Sequence, residues 1–175
     1  MHVLLVNNST IPVYAYGGTE RVIWDLGKSL VKLGHKVSYL VPVGSHCDFG
    51  RVLPIDTKRP WQEQIPADID ITHFQFNPHT PPDTPYLVTE HGNARKTKPL
   101  PLNTVFVSQN HASRYGSDQY VLNGLDWESY GAVDLDNIRT RFHFLGKAAW
   151  SVKNVSGAIR VAKKAGVELD VLGGN

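Results

Sequence analysis

The chain holds a single cysteine, Cys47, which excludes an internal disulfide and fits a reducing compartment. Long hydrophobic runs are missing as well: none approaches the ~20 apolar residues of a membrane span, and residues 1–6 are too short for a signal peptide. The expectation is a cytoplasmic protein, with peripheral contact at the inner membrane surface left open. Excess charge of one sign is also scarce. A formal net charge of +2 and the lack of any extended basic block give no footprint for nucleic acid, and the densest basic cluster, Arg95-Lys96 with Lys98, reads as a solvated loop. No G-x-G-x-x-G follows the first apolar run, which removes the main support for dinucleotide-dependent redox chemistry. The eight histidines form no metal-ligand pattern. His73 and His79 are separated by a Pro-rich turn, and no metal site is expected from them.

What remains is a globular chain of 175 residues with 41% apolar and 19% charged content. A chain of this size buries ~70% of its unfolded surface, enough for one well-packed domain but not for two full ones. Predicted strands and helices alternate along it. Residues 2–6 form a short apolar run closing in Asn7-Asn8, as a buried parallel strand does. Over residues 19–33, Val22, Ile23, Leu26, Leu30 and Leu33 recur at three and four, predicting a helix stopped by Gly34, and residues 36–41 read as the next strand. Further strands are predicted at 69–74, 86–89, 104–108 and 120–122, joined by Pro-rich loops at 77–85 and 98–101. Residues 142–145, 152–165 and 168–172 then read as strand, helix and strand. Such alternation predicts an α/β fold with a Rossmann-like, doubly wound parallel sheet.

A polar, acidic stretch follows Asn123-Gly124-Leu125-Asp126, so the predicted organisation is a first domain at 1–130, a linker at 131–140 and an incomplete βαβ unit at 141–175. One βαβ unit has too few faces to enclose a core. It must extend the first sheet, pair with another chain, or begin a domain that this sequence does not complete.

The glycine pair Gly17-Gly18, placed between a strand and a helix N-terminus and followed by Glu20 and Arg21, lets backbone approach an anion that the helix dipole favours. A tight connection is the plainer reading of the same pair. His91, before Gly92 at the end of a predicted strand, stands where ligands collect in open α/β sheets, and a structural histidine is the alternative. Lys147 and Lys153 read without context as two exposed lysines. Two motifs are decoys. Asp68-Ile69-Asp70 imitates a metal-binding D-x-D but enters its strand from the amino end, away from the ligand edge. Gly27-Lys28-Ser29 imitates the end of a phosphate-binding loop but lies inside a helix and lacks the upstream glycine.

The ordered series has its own meaning. Gly17-Gly18-Thr19-Glu20-Arg21 with Gly34-His35, then Thr89-Glu90-His91-Gly92, Val107-Ser108, Asn123-Gly124-Leu125-Asp126, and Phe144-Leu145-Gly146-Lys147 with Lys153, resembles the family 4 glycosyltransferases of the GT-B fold. The series covers nearly the whole chain but only the first half of such an enzyme. The resemblance implies two Rossmann-like domains facing a cleft, the second holding a nucleotide-diphosphate sugar and the first a saccharide or lipid-linked acceptor. It implies transfer of a hexose with retained anomeric configuration, usually without a metal or other cofactor. It places Gly17 and Gly18 near the donor phosphates and the transferred sugar, His91 in the cleft as the catalytic histidine, Lys147 and Lys153 on the diphosphate, and Glu20, Arg21 and Asn123 around the cleft. Lys147 stands where the family more often has arginine, which loses a bidentate fork, and Asn154 stands where glycine commonly follows the lysine.

Fixed positive charge and backbone donors suit this chemistry because breaking a sugar–diphosphate bond builds charge on the leaving oxygen; losing one such donor costs ~3 kcal/mol of barrier. The resemblance also implies two glutamates eight positions apart in the second domain. The glutamates here are at 20, 63, 90, 128 and 168, and no two have that spacing. Sugar transfer would then call for a second polypeptide, a longer product, or an assembly that supplies the rest; separately, the exposed parallel edge of the tail predicts self-association. The alternatives are a non-catalytic sugar-binding or assembly module and, more distantly, an unrelated nucleotide-binding α/β enzyme.

Overall fold

The computed structural model describes residues 1–14, 17–93, 99–138 and 140–173. Tyr16 of the glycine motif, the Arg95-Lys96-Lys98 cluster and the terminal Gly174-Asn175 lie outside the described residues. Two compact units are formed, Met1–Tyr130 and Gly131–Asn175.

The first unit is built on six parallel strands: β1 (His2–Val6), β2 (Lys36–Val41), β3 (Arg51–Pro54), β4 (Ile71–Phe74), β5 (Tyr86–Glu90) and β6 (Thr104–Phe106). Their order across the sheet is β3-β2-β1-β4-β5-β6, so the chain runs outward to one side, crosses back beside β1 and runs outward to the other. A parallel strand buried on both faces needs apolar residues at successive positions, and β1 supplies them: Val3, Leu4, Leu5 and Val6 are all buried. Val3 and Leu5 join Val37, Tyr39 and Val41 beneath helix α1 (Gly18–Lys32), whereas Leu4 and Val6 join Leu40, Phe74 and Val88 on the opposite face with Trp61 and Ile65. The α1 stripe seats Ile23 fully inside, with Leu26 and Leu30 packed against the same cluster.

Gly27 belongs to that packing. A Cβ at this position would strike the hydroxyl and ring of the fully buried Tyr39, so the absence of a side chain sets how closely α1 rests on β2. The Gly27-Lys28-Ser29 motif is therefore a helix–strand contact. At the amino edge, Asp70 accepts from the His2 backbone N–H at 2.6 Å, while Asp68 is bound by Arg51 at 3.2 Å and by His2 at 3.3 Å. The D-x-D pair thus ties β1, β3 and β4 together at their starts.

The predicted strand at 120–122 contracts to a single bridge between Tyr120 and Phe106. Between them runs a short helix, α2 (Gln109–Ser113), capped by the Ser108 hydroxyl accepting from the His111 N–H at 3.1 Å. The chain then docks on α1: the Asp126 N–H donates to the Asp25 carboxylate at 3.1 Å, and the Lys28 ammonium donates to Asp126 at 2.6 Å.

In the second unit, β7 (Phe142–Leu145) and β8 (Leu169–Leu172) pair in parallel as their own two-stranded sheet, joined by α3 (Val155–Ala165). The tail does not extend the first sheet. Two strands and a helix cover little: of this unit's described apolar residues Ala162 is buried, whereas Leu145, Val161 and Leu172 are at least half exposed. The helix predicted from 152 begins at 155, because Asn154 adopts a left-handed backbone (φ 55°) and its side chain accepts from the Gly157 N–H at 3.2 Å. Glycine at 157 leaves room for that cap to fold over the helix start.

Candidate functional site

Alternation along β4, β5 and β6 puts Ile71, His73, Leu87, Thr89 and Val105 on the α1 face of the sheet. On that face α1 covers β1 and β2 but leaves the β4–β6 half to the chain segment 121–125. The result is a cavity of about 390 Å³, with Val22 and Leu26 of α1 on one wall, Leu87 and Val105 on its floor, and Val121, Leu122 and Leu125 as roof. Its polar end lies at the carboxyl edge of the strands, where Gln75 and His91 follow β4 and β5.

That end is an ordered set of polar groups. The His91 Nε2–H donates to Gln75 Oε1 at 2.9 Å, and one turn of the pleat below it His73 Nε2 and Thr89 Oγ1 are 2.7 Å apart. Gln75 is only 7% exposed, and its Nε2 has no partner among the described residues. Whichever way the amide is turned, one of its two polar atoms stays unmatched, and a buried unpaired amide costs ~1–3 kcal/mol. A hydroxyl or carbonyl entering the cavity would relieve that cost.

Burial favours the neutral form of both imidazoles. It pushes the His73 pKa down to about 4, with the neighbouring His91 adding to the effect. Burial also lowers the His91 pKa, with Glu20 opposing the shift and His111 adding to it. The influence of Glu20 places the first turn of α1 within electrostatic reach of His91. Gly17 joins the same neighbourhood, since a Cβ there would stand 2.9 Å from Glu20 Oε2 and 2.7 Å from Val13 Cγ2. Its φ of 156° favours glycine on backbone grounds as well. Gly18 differs: it is the first residue of α1, and a Cβ on it would meet nothing within 4 Å. No side chain caps this helix start, and Arg21 follows in its first turn.

Of the sequence-predicted residues, the first unit therefore gathers Gly17, Glu20, His91 and Asn123, the last as part of the cavity lining. Gln75 was not among them. Its signal was the composition of its strand: Thr72, His73 and Gln75 interrupt what a doubly covered parallel strand should make continuously apolar.

The second unit holds both lysines at the carboxyl end of β7. Lys147 follows Gly146, and Lys153 ends a single 3-10 turn, Ser151–Lys153, with its Cβ 3.9 Å from where a Cβ on Gly146 would stand. The Lys147 ammonium lies over the Trp150 ring, 5.2 Å from its centroid. Gly173 at the end of β8 packs directly against the Gly146 backbone, where any side chain would collide. Asn154 fills the place of the expected glycine by adopting the left-handed conformation that asparagine tolerates best among residues with a side chain.

No three His, Cys, Asp or Glu side chains among the described residues cluster in a way that could hold a metal ion. No helix among them is long and apolar enough to cross a membrane. The sequence matches no family model and no curated protein. The fold does have a counterpart: the crystal structure of AviGT4, a glycosyltransferase involved in avilamycin A biosynthesis, is similar with a TM-score of 0.78 at 22% identity. The similarity covers 97% of this chain and 56% of that one, so the chain spans little more than half of its structural neighbour. The protein thus has a glycosyltransferase-like α/β fold founded on a Rossmann-like parallel sheet.

Proposed function

We propose that this chain is the acceptor-side domain of a nucleotide-sugar-dependent hexosyltransferase, with the opening βαβ of the donor-side domain, and that it belongs with the retaining family 4 enzymes. The observation that carries the reading is the buried Gln75–His91 pair with its unmatched amide, at the strand edge of a fold shared with a glycosyltransferase. In this reading a neutral His91 hydrogen-bonds a hydroxyl of the transferred sugar, and Gly17 and Gly18 present backbone to its phosphates. Lys147 and Lys153 hold the diphosphate as charge leaves the sugar C1–O bond, so that no metal is called for. The acceptor hydroxyl bonds to C1 and its proton departs with the nucleoside diphosphate. The ribose-binding carboxylates that this sequence does not carry would come from a second polypeptide or from a longer product. Peripheral contact with the inner membrane surface would suit a lipid-linked acceptor in polysaccharide assembly.

Release of nucleoside diphosphate from a panel of nucleotide hexoses, measured with and without saccharide acceptors, tests the reading. Binding with little turnover by the chain alone is the expected result. Efficient turnover by the chain alone would refute the need for a partner, and the absence of any nucleotide-sugar binding would refute the transferase.

One feature favours a second reading, a non-catalytic sugar-binding module: the Lys147 ammonium is engaged by the Trp150 ring. Calorimetric titration separates the two. Oligosaccharide binding without affinity for nucleoside diphosphates supports the module, and nucleotide binding excludes it.

A further inference from the structure

Two side-chain rungs join the β4 and β5 segments on the α1 face, each linking residues 16 positions apart, and they differ in kind. In the first, His73 Nε2 meets the Thr89 hydroxyl at 2.7 Å; a hydroxyl turns to donate or accept, so this rung suits either tautomer of the ring. In the second, His91 Nε2 meets Gln75 Oε1 at 2.9 Å, and an amide oxygen only accepts. The second rung therefore has a direction. With burial favouring the neutral ring, the single imidazole proton sits on Nε2 and Nδ1 keeps a lone pair. Gln75 is well placed to hold that direction: it is 7% exposed, and its backbone N–H donates to the Val6 carbonyl at 3.0 Å, which fixes it to the end of β1. Among the described residues no other group hydrogen-bonds the His91 ring. Both side chains line the cavity, so a ligand meets an imidazole lone pair in the same pocket as the unmatched Gln75 amide N–H. A hydroxyl answers both, because it donates through its hydrogen and accepts at its oxygen. A carboxylate or a carbonyl accepts from the amide but sets lone pair against lone pair at the ring.

We propose that Gln75 is the positioning residue of this site: by taking up the His91 Nε2–H it leaves Nδ1 as an acceptor, so that the donor hexose must bring a hydroxyl to His91, and a sugar with a carboxylate, a carbonyl or no oxygen at that place is rejected. This rests on the transferase reading and narrows its donor class. Gln75 acts through the ring, whose Nδ1 receives the sugar hydrogen.

The test begins on the free chain, with long-range proton–nitrogen NMR of the histidine rings and His91 assigned by its loss in His91→Asn. The parent should show the Nε2–H tautomer of His91. Gln75→Glu, which can only accept once ionised, should keep that tautomer when read well above the ordinary histidine range, and Gln75→Leu should give a mixture. An Nδ1–H ring in the parent, or a ring unchanged in Gln75→Leu, would overturn the proposal. The second arm compares binding of a nucleotide hexose with its deoxyfluoro analogues, one for each ring hydroxyl. In the parent one analogue should bind about tenfold or more weakly, and in Gln75→Leu that penalty should fall to about threefold or less. Equal binding of every analogue, or the same penalty in both proteins, would overturn it as well. Failure of every nucleotide hexose to bind would remove the transferase reading and the donor class with it, whereas the tautomer, read without any nucleotide, decides separately whether Gln75 sets the ring.

Discussion

Substituting Gly27 by alanine adds one methyl group at the closest approach of α1 to the sheet. The new Cβ would lie 2.7 Å from Tyr39 Cζ and 3.3 Å from Leu5 Cδ1, and closer still to the Tyr39 hydroxyl. Tyr39 cannot swing aside easily: it is fully buried, meets Phe49 edge-on at 6.3 Å, and its hydroxyl points toward the Trp24 carbonyl at 3.5 Å. Overpacking costs ~1–3 kcal/mol in general, and ~2–3 kcal/mol where, as here, the struck ring is fully buried; the better helix propensity of alanine returns ~1 kcal/mol. The net expectation is a loss of about 1–2 kcal/mol, read as a lower urea midpoint at unchanged slope in tryptophan fluorescence. Tyr39→Phe removes the atom nearest the clash. The double variant should therefore recover about 1 kcal/mol relative to the sum of the single changes. A Gly27→Ala protein as stable as the parent, or a cycle with no coupling, would show that α1 does not rest on β2 as described.

Other expectations follow from single residues. Gly17→Ala should destabilise by ~1–3 kcal/mol through its positive φ and its contact with Val13, whereas Gly18→Ala, with open space around it, should be neutral or slightly stabilising in thermal melts. His73 is held neutral, with a folded pKa near 4 against an unfolded value of 6.5, so the unfolded chain binds the extra proton between them. Its contribution is complete above pH 6.5 and is lost as pH falls toward 4, a difference of ~3 kcal/mol that His73→Gln should remove from the pH dependence of the urea midpoint. Asn154→Ala should cost ~1–2 kcal/mol of second-unit stability through the lost cap and the left-handed backbone, and Asn154→Gly only a few tenths, by amide exchange in α3.

The parts of this molecule legible in sequence are those where one physical rule acts alone. The three-and-four spacing of Val22, Leu26 and Leu30 specifies α1, and the continuous apolar run of β1 specifies a strand covered on both faces. Where rules compete, the reading shifts. Arg51-Val52-Leu53-Pro54 is absent from the predicted strands, yet it forms β3; an edge strand can spare the N–H that Pro54 lacks. Residues 152–154 continue an amphipathic pattern into α3, but the local hydrogen bond of Asn154 delays the start of the helix to 155. His91 could be named from its place before Gly92, whereas Gln75 could not, since its role depends on β4 and β5 lying side by side. That pairing joins residues 16 positions apart. The cavity roof was half visible: Asn123-Gly124-Leu125-Asp126 stood out as a motif, but its attachment to α1 through Lys28 is a contact across 98 positions.

The central claim is that these residues serve sugar transfer, and calorimetric titration of the full chain with nucleoside-diphosphate hexoses tests it most directly. The account predicts saturable binding of at least one of them, weakened about tenfold or more by Lys153→Ala and by His91→Ala in separate variants. Binding indifferent to both substitutions, or no binding to any donor, would contradict it.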